Sequence, residues 1–226
     1  GATADAWPEH DRYTVDELLK RAVALSDNTA ADVLLKRVGG PGAVTAWLEL
    51  KKVEGMRLDR YARQMLPARA GAASFRADWK GQAWRKAVLA VPEAERRAAL
   101  SRYLADPRDT VTPLGAVRFL EALNQFELTS QDHRRRLLRL MEAAAGDRLR
   151  PALPAGARLA ALTTWAPYDL GLCAADATLA MIRLADGRRF ALAIFLAASP
   201  LEDEDRTALV LDTARTVLAA AEQSDR

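Results

Sequence analysis

Ser26-Asp27-Asn28-Thr29-Ala30-Ala31 stands where one predicted helix ends and the next one begins. Before it, Thr14-Val15-Asp16-Glu17 has the spacing of a helix capping box, and apolar residues follow at helical intervals as far as Leu25. After it, residues 30–38 predict a second helix, which Gly39-Gly40 ends. Short polar side chains are common at such junctions because they accept hydrogen bonds from free backbone N–H groups. The junction therefore has a structural explanation, and only its context can give it a chemical one.

The rest of the chain divides into a helical part and a sheet part. Helical spacing of apolar residues continues to about residue 150. Beyond that point, short apolar runs of strand length occupy residues 157–163, 177–184 and 189–198, with the hairpin signal Asp186-Gly187 between the last two. We therefore predict an α+β fold: a mainly helical lobe over residues 1–150, and antiparallel strands covered by a C-terminal helix over residues 151–226.

Composition narrows the classes of function. The 33 basic and 30 acidic residues leave a net charge of +3, and the densest basic cluster, Arg134-Arg135-Arg136 with Arg139, alternates with leucines as a solvated helix face does. We therefore predict no nucleic-acid partner. A single cysteine and two histidines without ligand spacing predict neither a metal site nor a cofactor. The sequence shows no apolar stretch long enough to span a bilayer and no signal-peptide pattern.

Several motifs stand in the order in which class A β-lactamases and related penicillin-recognising serine hydrolases carry them. They are Ser26-Asp27-Asn28, Gly39-Gly40-Pro41, Arg57-Leu58-Asp59-Arg60, Arg108-Asp109-Thr110-Val111-Thr112-Pro113 and Leu153-Pro154-Ala155-Gly156. The chain resembles this family over most of its length outside residues 65–107. The resemblance implies a β-lactamase-like fold, in which Ser26 would be a proton relay and Asn28 would bind a substrate amide. It also implies that Asp27 is a buried structural acceptor.

Residues that carry the family's chemistry are largely absent. No Ser-x-x-Lys occurs in the 226 residues; because the family carries this motif far upstream of Ser-Asp-Asn, we expect the nucleophile helix to be missing from this chain. Alignment from Leu153-Pro154-Ala155-Gly156 places the family's Lys-Thr-Gly stretch on Leu162-Thr163-Thr164. Thr163 keeps the hydroxyl, Leu162 lacks the cation and is expected to be core, and Thr164 would crowd a bound substrate. Thr163 and Thr164 join Asn28 as candidate binding residues.

The loop after Arg57-Leu58-Asp59-Arg60 also departs from the family. Ala62 falls where the deacylating glutamate would be, and Asp59 is predicted to form a structural ion pair with Arg57 or Arg60. Residues 65–107 replace a short loop and contain the aromatic residues Phe75, Trp79 and Trp84. We predict an inserted helical subdomain there, over the former floor of the active site, in which both tryptophans are at least partly buried. Their spacing of five is imperfect for one helix face and leaves open the alternative that Trp84 is exposed as a partner anchor.

Two functions follow from these observations, and the sequence leaves both open. One is a non-catalytic binding or regulatory pseudoenzyme on the β-lactamase frame, since fold and site are separable. The alternative is a serine β-lactamase or related hydrolase whose nucleophile lies on a missing N-terminal segment. In both, a strand edge and apolar faces are left uncovered, and the inserted segment, a second copy of the chain or an N-terminal fragment could cover them. We favour a second copy of the chain. The sequence does not indicate which small molecule binds, and the resemblance alone suggests an exported protein.

Overall fold

The computed structural model describes residues 2–6, 9–74, 76, 78–146 and 148–224. The chain divides into two compact units, residues 1–111 and residues 112–226. The sequence predicts two lobes that divide at residue 150 instead. The difference arises from two helices between these positions, which pack on the strands of the second unit.

The first unit is built from helices. Those described are α1 (Ala2–Asp5), α2 (Val15–Ala24), α3 (Asn28–Arg37), α4 (Pro41–Leu50), α5 (Ala62–Arg69), α6 (Gly81–Leu89) and α7 (Glu93–Ala105). The predicted capping box starts α2, because the Glu17 N–H donates to Thr14 Oγ1 at 3.2 Å and the Thr14 N–H donates to Glu17 Oε2 at 2.7 Å. Helix α3 packs on α2 and α5, and α5 packs on α7. Ala30 and Leu48 are among the buried residues of this unit.

The segment that the sequence predicts as an inserted helical subdomain is indeed helical. It contains α6 and α7 together with most of α5. Trp79 and Trp84 are both half-buried, as predicted, and their ring centroids lie 5.7 Å apart. Phe75 lies outside the described residues. Ala99 of α7 is buried, and a side chain at Gly71 would approach it at 3.3 Å, so the turn after α5 sits closely against α7.

The second unit combines helices with an antiparallel sheet. Its elements are α8 (Pro113–Asn124), α9 (Gln131–Ala144), β1 (Arg158–Trp165), β2 (Tyr168–Asp169), β3 (Leu172–Arg183), β4 (Arg189–Ser199) and α10 (Asp203–Ser224). Strand β3 is central: β1 and β2 pair with one of its edges and β4 with the other. The core of the unit includes Leu159, Ile182 and Leu192 of the sheet and Val210 of α10. This is the α+β arrangement that the sequence predicts.

A buried ion cluster joins the sheet to α10. Asp176 of β3 is 2% exposed and accepts two hydrogen bonds from Arg148, at 2.7 and 2.8 Å. It also accepts one from Arg206 Nε at 3.0 Å, and Arg206 is itself 2% exposed. Burial on its own would lower the pKa of Arg206, but the hydrogen bond with Asp176 raises it. The carboxylate thus holds two arginines from distant parts of the chain.

No helix in the described part of the chain is both long enough and apolar enough to cross a membrane.

Candidate functional site

Asp27 shapes the junction between α2 and α3. Its Oδ1 atom accepts from the backbone N–H groups of Thr29 at 2.9 Å and Ala30 at 3.0 Å, which makes Asp27 the N-cap of α3. Its Oδ2 atom accepts from the Thr3 N–H at 2.8 Å, and the side chain is buried at 3% exposure. Burial raises the pKa of Asp27, but the hydrogen bonds from the backbone of Thr3 and Ala30 outweigh it, so the net shift is downward. Asp27 is therefore a fixed anion that organises the backbone.

Ser26 and Asn28 flank this cap and are both exposed. Ser26 has φ 52°, in the left-handed region that is unfavourable for a residue with a side chain. Such backbone strain occurs often at functional sites. Asn28 is the first residue of α3, so its side chain stands at the start of the helix, beside the capped turn. The turn thus presents one hydroxyl and one amide to its surroundings.

A cavity of about 700 Å³ opens next to Asn28 within the first unit. Thr29 and Asp32 of α3 also line it, and Trp79 and Trp84 of the inserted segment contribute aromatic surface. Most ligand pockets combine apolar walls with a few polar groups in this way. The sequence predicts that the insertion lies at the active-site floor, but it gives no sign of a cavity, because the two tryptophans lie about fifty residues from Asn28 in the chain.

Asp32 anchors the start of α5, where the resemblance implies a deacylating glutamate and the chain has Ala62. Its Oδ1 atom accepts from the Ala62 N–H at 2.8 Å, and its Oδ2 atom accepts from the Arg63 N–H at 3.0 Å. These are the first two residues of α5, so Asp32 satisfies donors that the helix itself leaves unpaired. The side chain of Ala62 is a methyl group and cannot act as an acid or a base. Sequence reasoning missed Asp32, whose one signal is its place one turn after the Asp27 cap.

The two ends of the inserted segment are closed by reciprocal hydrogen bonds. Asp109 Oδ1 accepts from the N–H groups of Asp59 at 2.7 Å and Arg60 at 2.8 Å, while Asp59 Oδ2 accepts from the Asp109 N–H at 2.8 Å. The Arg60 guanidinium forms ion pairs with Asp109 and with Asp106, the latter at 3.2 Å. Asp59 pairs with Arg57, whose Nε donates to Asp59 Oδ2 at 2.9 Å. Of the two pairings that the sequence allows for Asp59, the structure shows the one with Arg57, and Arg60 pairs with two aspartates that sequence reasoning missed.

We expect stability to fall in acid because of these aspartates. The Arg57 hydrogen bond, with that of the Asp109 backbone, lowers the pKa of Asp59 from 3.8 to about 2. Since the folded pKa lies below the unfolded one, the contribution of Asp59 is complete above about pH 4 and is lost as the pH falls toward 2. Asp27 acts in the same direction. Urea midpoints measured from about pH 5 to pH 2 should fall, and Arg57→Gln should flatten that fall, whereas Arg97→Gln, which removes an exposed pair, should not.

The remaining candidate residues lie on β1, in the second unit. Leu162, Thr163 and Thr164 pair with residues 177–179 of β3. Leu162 and Thr163 are half-buried and Thr164 is exposed. The expectation that Leu162 belongs to the core is therefore wrong, because its side chain alternates away from the face that Leu159 and Ala161 bury. Ser26, Asn28 and Ala62 belong to the first unit, so the candidate residues are divided between the two units.

The residues that the structure describes contain no group of three or more histidine, cysteine, aspartate or glutamate side chains that could hold a metal ion.

Comparisons with known proteins agree with the motifs. The profile of the family described as "Beta-lactamase enzyme family" matches residues 3–221. A variant of the last common ancestor of class A β-lactamases of Gram-negative bacteria is 27% identical with a TM-score of 0.71, over 99% of this chain and 69% of that one. A β-lactamase from Chitinophaga pinensis has the same fold at 22% identity and a TM-score of 0.73, over 96% of this chain and 68% of that one. An extended-spectrum β-lactamase gives 20% identity, the same coverage and the same TM-score.

Proposed function

We propose, from the premise that this chain belongs to the β-lactamase enzyme family, that it is a non-catalytic binding or regulatory member of that family. The observation that carries the proposal is the loss of ionisable side chains at positions 62 and 162. The resemblance of this chain to the family implies a glutamate at the position of Ala62 and a lysine at the position of Leu162. Ser26, Asn28 and Thr163 would then serve to bind, with Ser26 a vestigial proton relay.

The chemistry explains why these two losses matter. Hydrolysis of an acyl intermediate needs a base within hydrogen-bond reach of the attacking water. Ala62 cannot supply one, and its own N–H is already bound by Asp32. A carboxylate substrate needs a preorganised positive charge at its binding point. The alkyl side chain of Leu162 cannot provide that charge, so neither anchoring nor deacylation of a β-lactam is supported at these positions.

We expect this chain not to hydrolyse a chromogenic cephalosporin. Turnover should equal that of a buffer blank, and intact-mass analysis after incubation with penicillin should show no covalent adduct. The matched control is Ser26→Ala, which should behave as the unchanged chain does. Turnover above the blank that disappears in Ser26→Ala would contradict the proposal, and so would a penicillin adduct.

The intact Ser26-Asp27-Asn28 junction favours a second candidate function, that of a serine hydrolase whose nucleophile lies outside the 226 residues. Asp27 holds this junction in a defined geometry and Asn28 lines a cavity. The test is to read the gene upstream of the codon for Gly1 and to express the product from its own start. A Ser-x-x-Lys with cephalosporin turnover in that product would support the hydrolase, and its absence would support the binding protein.

For the partner, we propose self-association through β4. This strand has 11 residues, and among the described strands only β3 pairs with it, so its outer edge has no ladder. Between its terminal Arg189 and Ser199 it carries neither charge nor proline, the features with which natural edges avoid pairing. We expect light scattering to give the mass of a dimer at micromolar concentration. A stable monomer over that range, with no co-purifying fragment, would contradict self-association.

A further inference from the structure

Three arginines form a row across the sheet of the second unit. Arg158 of β1 is directly opposite Arg183 of β3, and Arg183 is directly opposite Arg189 of β4. Residues that face each other in antiparallel strands project from the same side of the sheet. Neighbouring Leu159 and Ile182 project into the core with α10, so by alternation the arginine row projects from the opposite side.

A cavity of about 640 Å³ lies on that side of the sheet. Its floor includes Ala160, Met181 and Ala191, which form the next row of facing residues after the arginines. Helix α9 contributes three further arginines to the lining, namely Arg134, Arg135 and Arg139. The site therefore joins an apolar floor to six guanidinium groups from four elements.

Carboxylates within the cavity do not balance this charge. Glu121 and Glu142 are the acidic residues that line it, and Glu142 pairs with Arg158 at 2.9 Å. Arg135 pairs with Asp132, which does not line the cavity, at 3.3 Å. Within the described part of the chain, Arg139, Arg183 and Arg189 have no carboxylate in ion-pair contact. Three arginines of the basic cluster that the sequence predicts to be a solvated helix face, Arg134, Arg135 and Arg139, thus line one side of a pocket, and Arg134 is half-buried there.

Arg134 lies close to other positive charges of the pocket. It donates to Asn124 Oδ1 at 2.5 Å, and its guanidinium lies 4.8 Å from the centre of the Phe126 ring. Burial lowers the pKa of Arg134, and the positive charges of Arg189 and Arg135 lower it further. Like charges placed directly opposite each other destabilise a sheet. The arginines of the pocket therefore repel one another, and a bound anion would relieve that repulsion.

We infer that this pocket binds a small organic polyphosphate, with its phosphates on the arginine row and its apolar part on the floor beside Met181. The planar fork of a guanidinium matches phosphate oxygens in a bidentate manner, and several forks converge here. The volume of the pocket suits a ligand of nucleotide size. A nucleic acid would need an extended basic face, whereas this charge is concentrated around one concavity. The inference is independent of the proposed function, since none of these arginines lines the cavity beside Asn28 or is a candidate site residue.

Isothermal titration calorimetry with pyrophosphate and ATP tests the inference, with adenosine as the uncharged comparison. Both phosphates should bind, and adenosine should bind far more weakly. Arg183→Gln and Arg189→Gln should each weaken pyrophosphate binding by about tenfold or more, because each removes charge-assisted hydrogen bonds. Arg97→Gln is the matched control: it removes one exposed arginine from the first unit and should leave the affinity unchanged.

Thermal unfolding separates a binding role from a structural one. Arg183→Gln should not lower the melting temperature of the unliganded protein, because it removes repulsion, yet it should abolish the rise in melting temperature that pyrophosphate causes. No heat signal with millimolar pyrophosphate would overturn the inference, as would equal weakening in Arg97→Gln. Tight binding of duplex DNA without binding of pyrophosphate would overturn it in favour of a nucleic-acid surface.

Discussion

Replacing Asp176 by alanine is expected to lower the free energy of unfolding by about 3–5 kcal/mol. The side chain is almost completely buried, and it is the shared partner of Arg148 and Arg206. Without the carboxylate, Arg206 remains as a buried cation that keeps only its carbonyl bond to Leu201 and its bond to the exposed Asp203. Removing one partner of a buried ion pair costs this much because the remaining charge stays desolvated. Urea denaturation followed by circular dichroism measures the loss.

Asp212→Ala is the matched control for this measurement. Asp212 is also an aspartate paired with an arginine, Arg215, but its side chain is 71% exposed. Exposed pairs contribute about 0–1 kcal/mol, so this variant should unfold close to the unchanged protein. If both variants lose the same small amount, the Asp176 cluster does not stabilise the second unit. A combined Arg148→Met, Asp176→Leu and Arg206→Met variant should recover part of the loss, since it leaves no unpaired charge.

Local signals in the sequence were sufficient wherever the structure depends on neighbours in the chain. The capping box at Thr14 begins α2, and Asp186-Gly187 turns between β3 and β4, because each depends on contacts within about four residues. The boundary at residue 150 followed from the change of period. Periodicity does not reveal on which surface a helix packs, and so it could not show that α8 and α9 belong with the sheet.

Contacts between distant residues account for what the sequence did not reveal. Asp176 meets partners 28 and 30 residues away, and Asp59 and Asp109 are 50 residues apart. Their pairing depends on tertiary structure, for which one sequence without an alignment holds no signal. The same holds for the arginine row. A single arginine in a strand does not indicate a site, and the strand register is what places the three side by side.

The candidate site was predictable only as far as the resemblance extends. Motif order located Ser26, Asn28 and the departures at Ala62 and Leu162. It did not indicate that Asp32 holds the start of α5, nor that the tryptophans of the insertion border a cavity. The place of the tryptophans beside Asn28 depends on packing between segments that are distant in the chain. The structure thus adds to the sequence a cavity that motif order does not predict.

Mutation of the cluster that closes the inserted segment should cause the second largest loss of stability. Asp109→Ala is expected to lower the free energy of unfolding by about 3 kcal/mol, because it removes the acceptor for two backbone N–H groups and the partner of Arg60. The side chains of Asp109 and Arg60 are 7% and 11% exposed, so solvent cannot replace these contacts. The segment between residues 61 and 108 should then open, and limited proteolysis should cut it faster than in the unchanged chain.

Two variants show which interaction closes the segment. Asp109 has φ 55°, a conformation that asparagine tolerates, so Asp109→Asn keeps the turn and the acceptor while it removes the charge. It should lose less stability than Asp109→Ala, and the difference between the two measures what the acceptor oxygen and the turn conformation contribute apart from the ion pair. Glu93→Ala, in the same segment, removes an exposed carboxylate that pairs with Arg97 and should cost about 0.5 kcal/mol or less. If Asp109→Ala has the same free energy of unfolding and the same rate of proteolysis as Glu93→Ala, this cluster does not hold the ends of the segment together. The β-bridge between Met56 and Val111 would then be the next contact to remove.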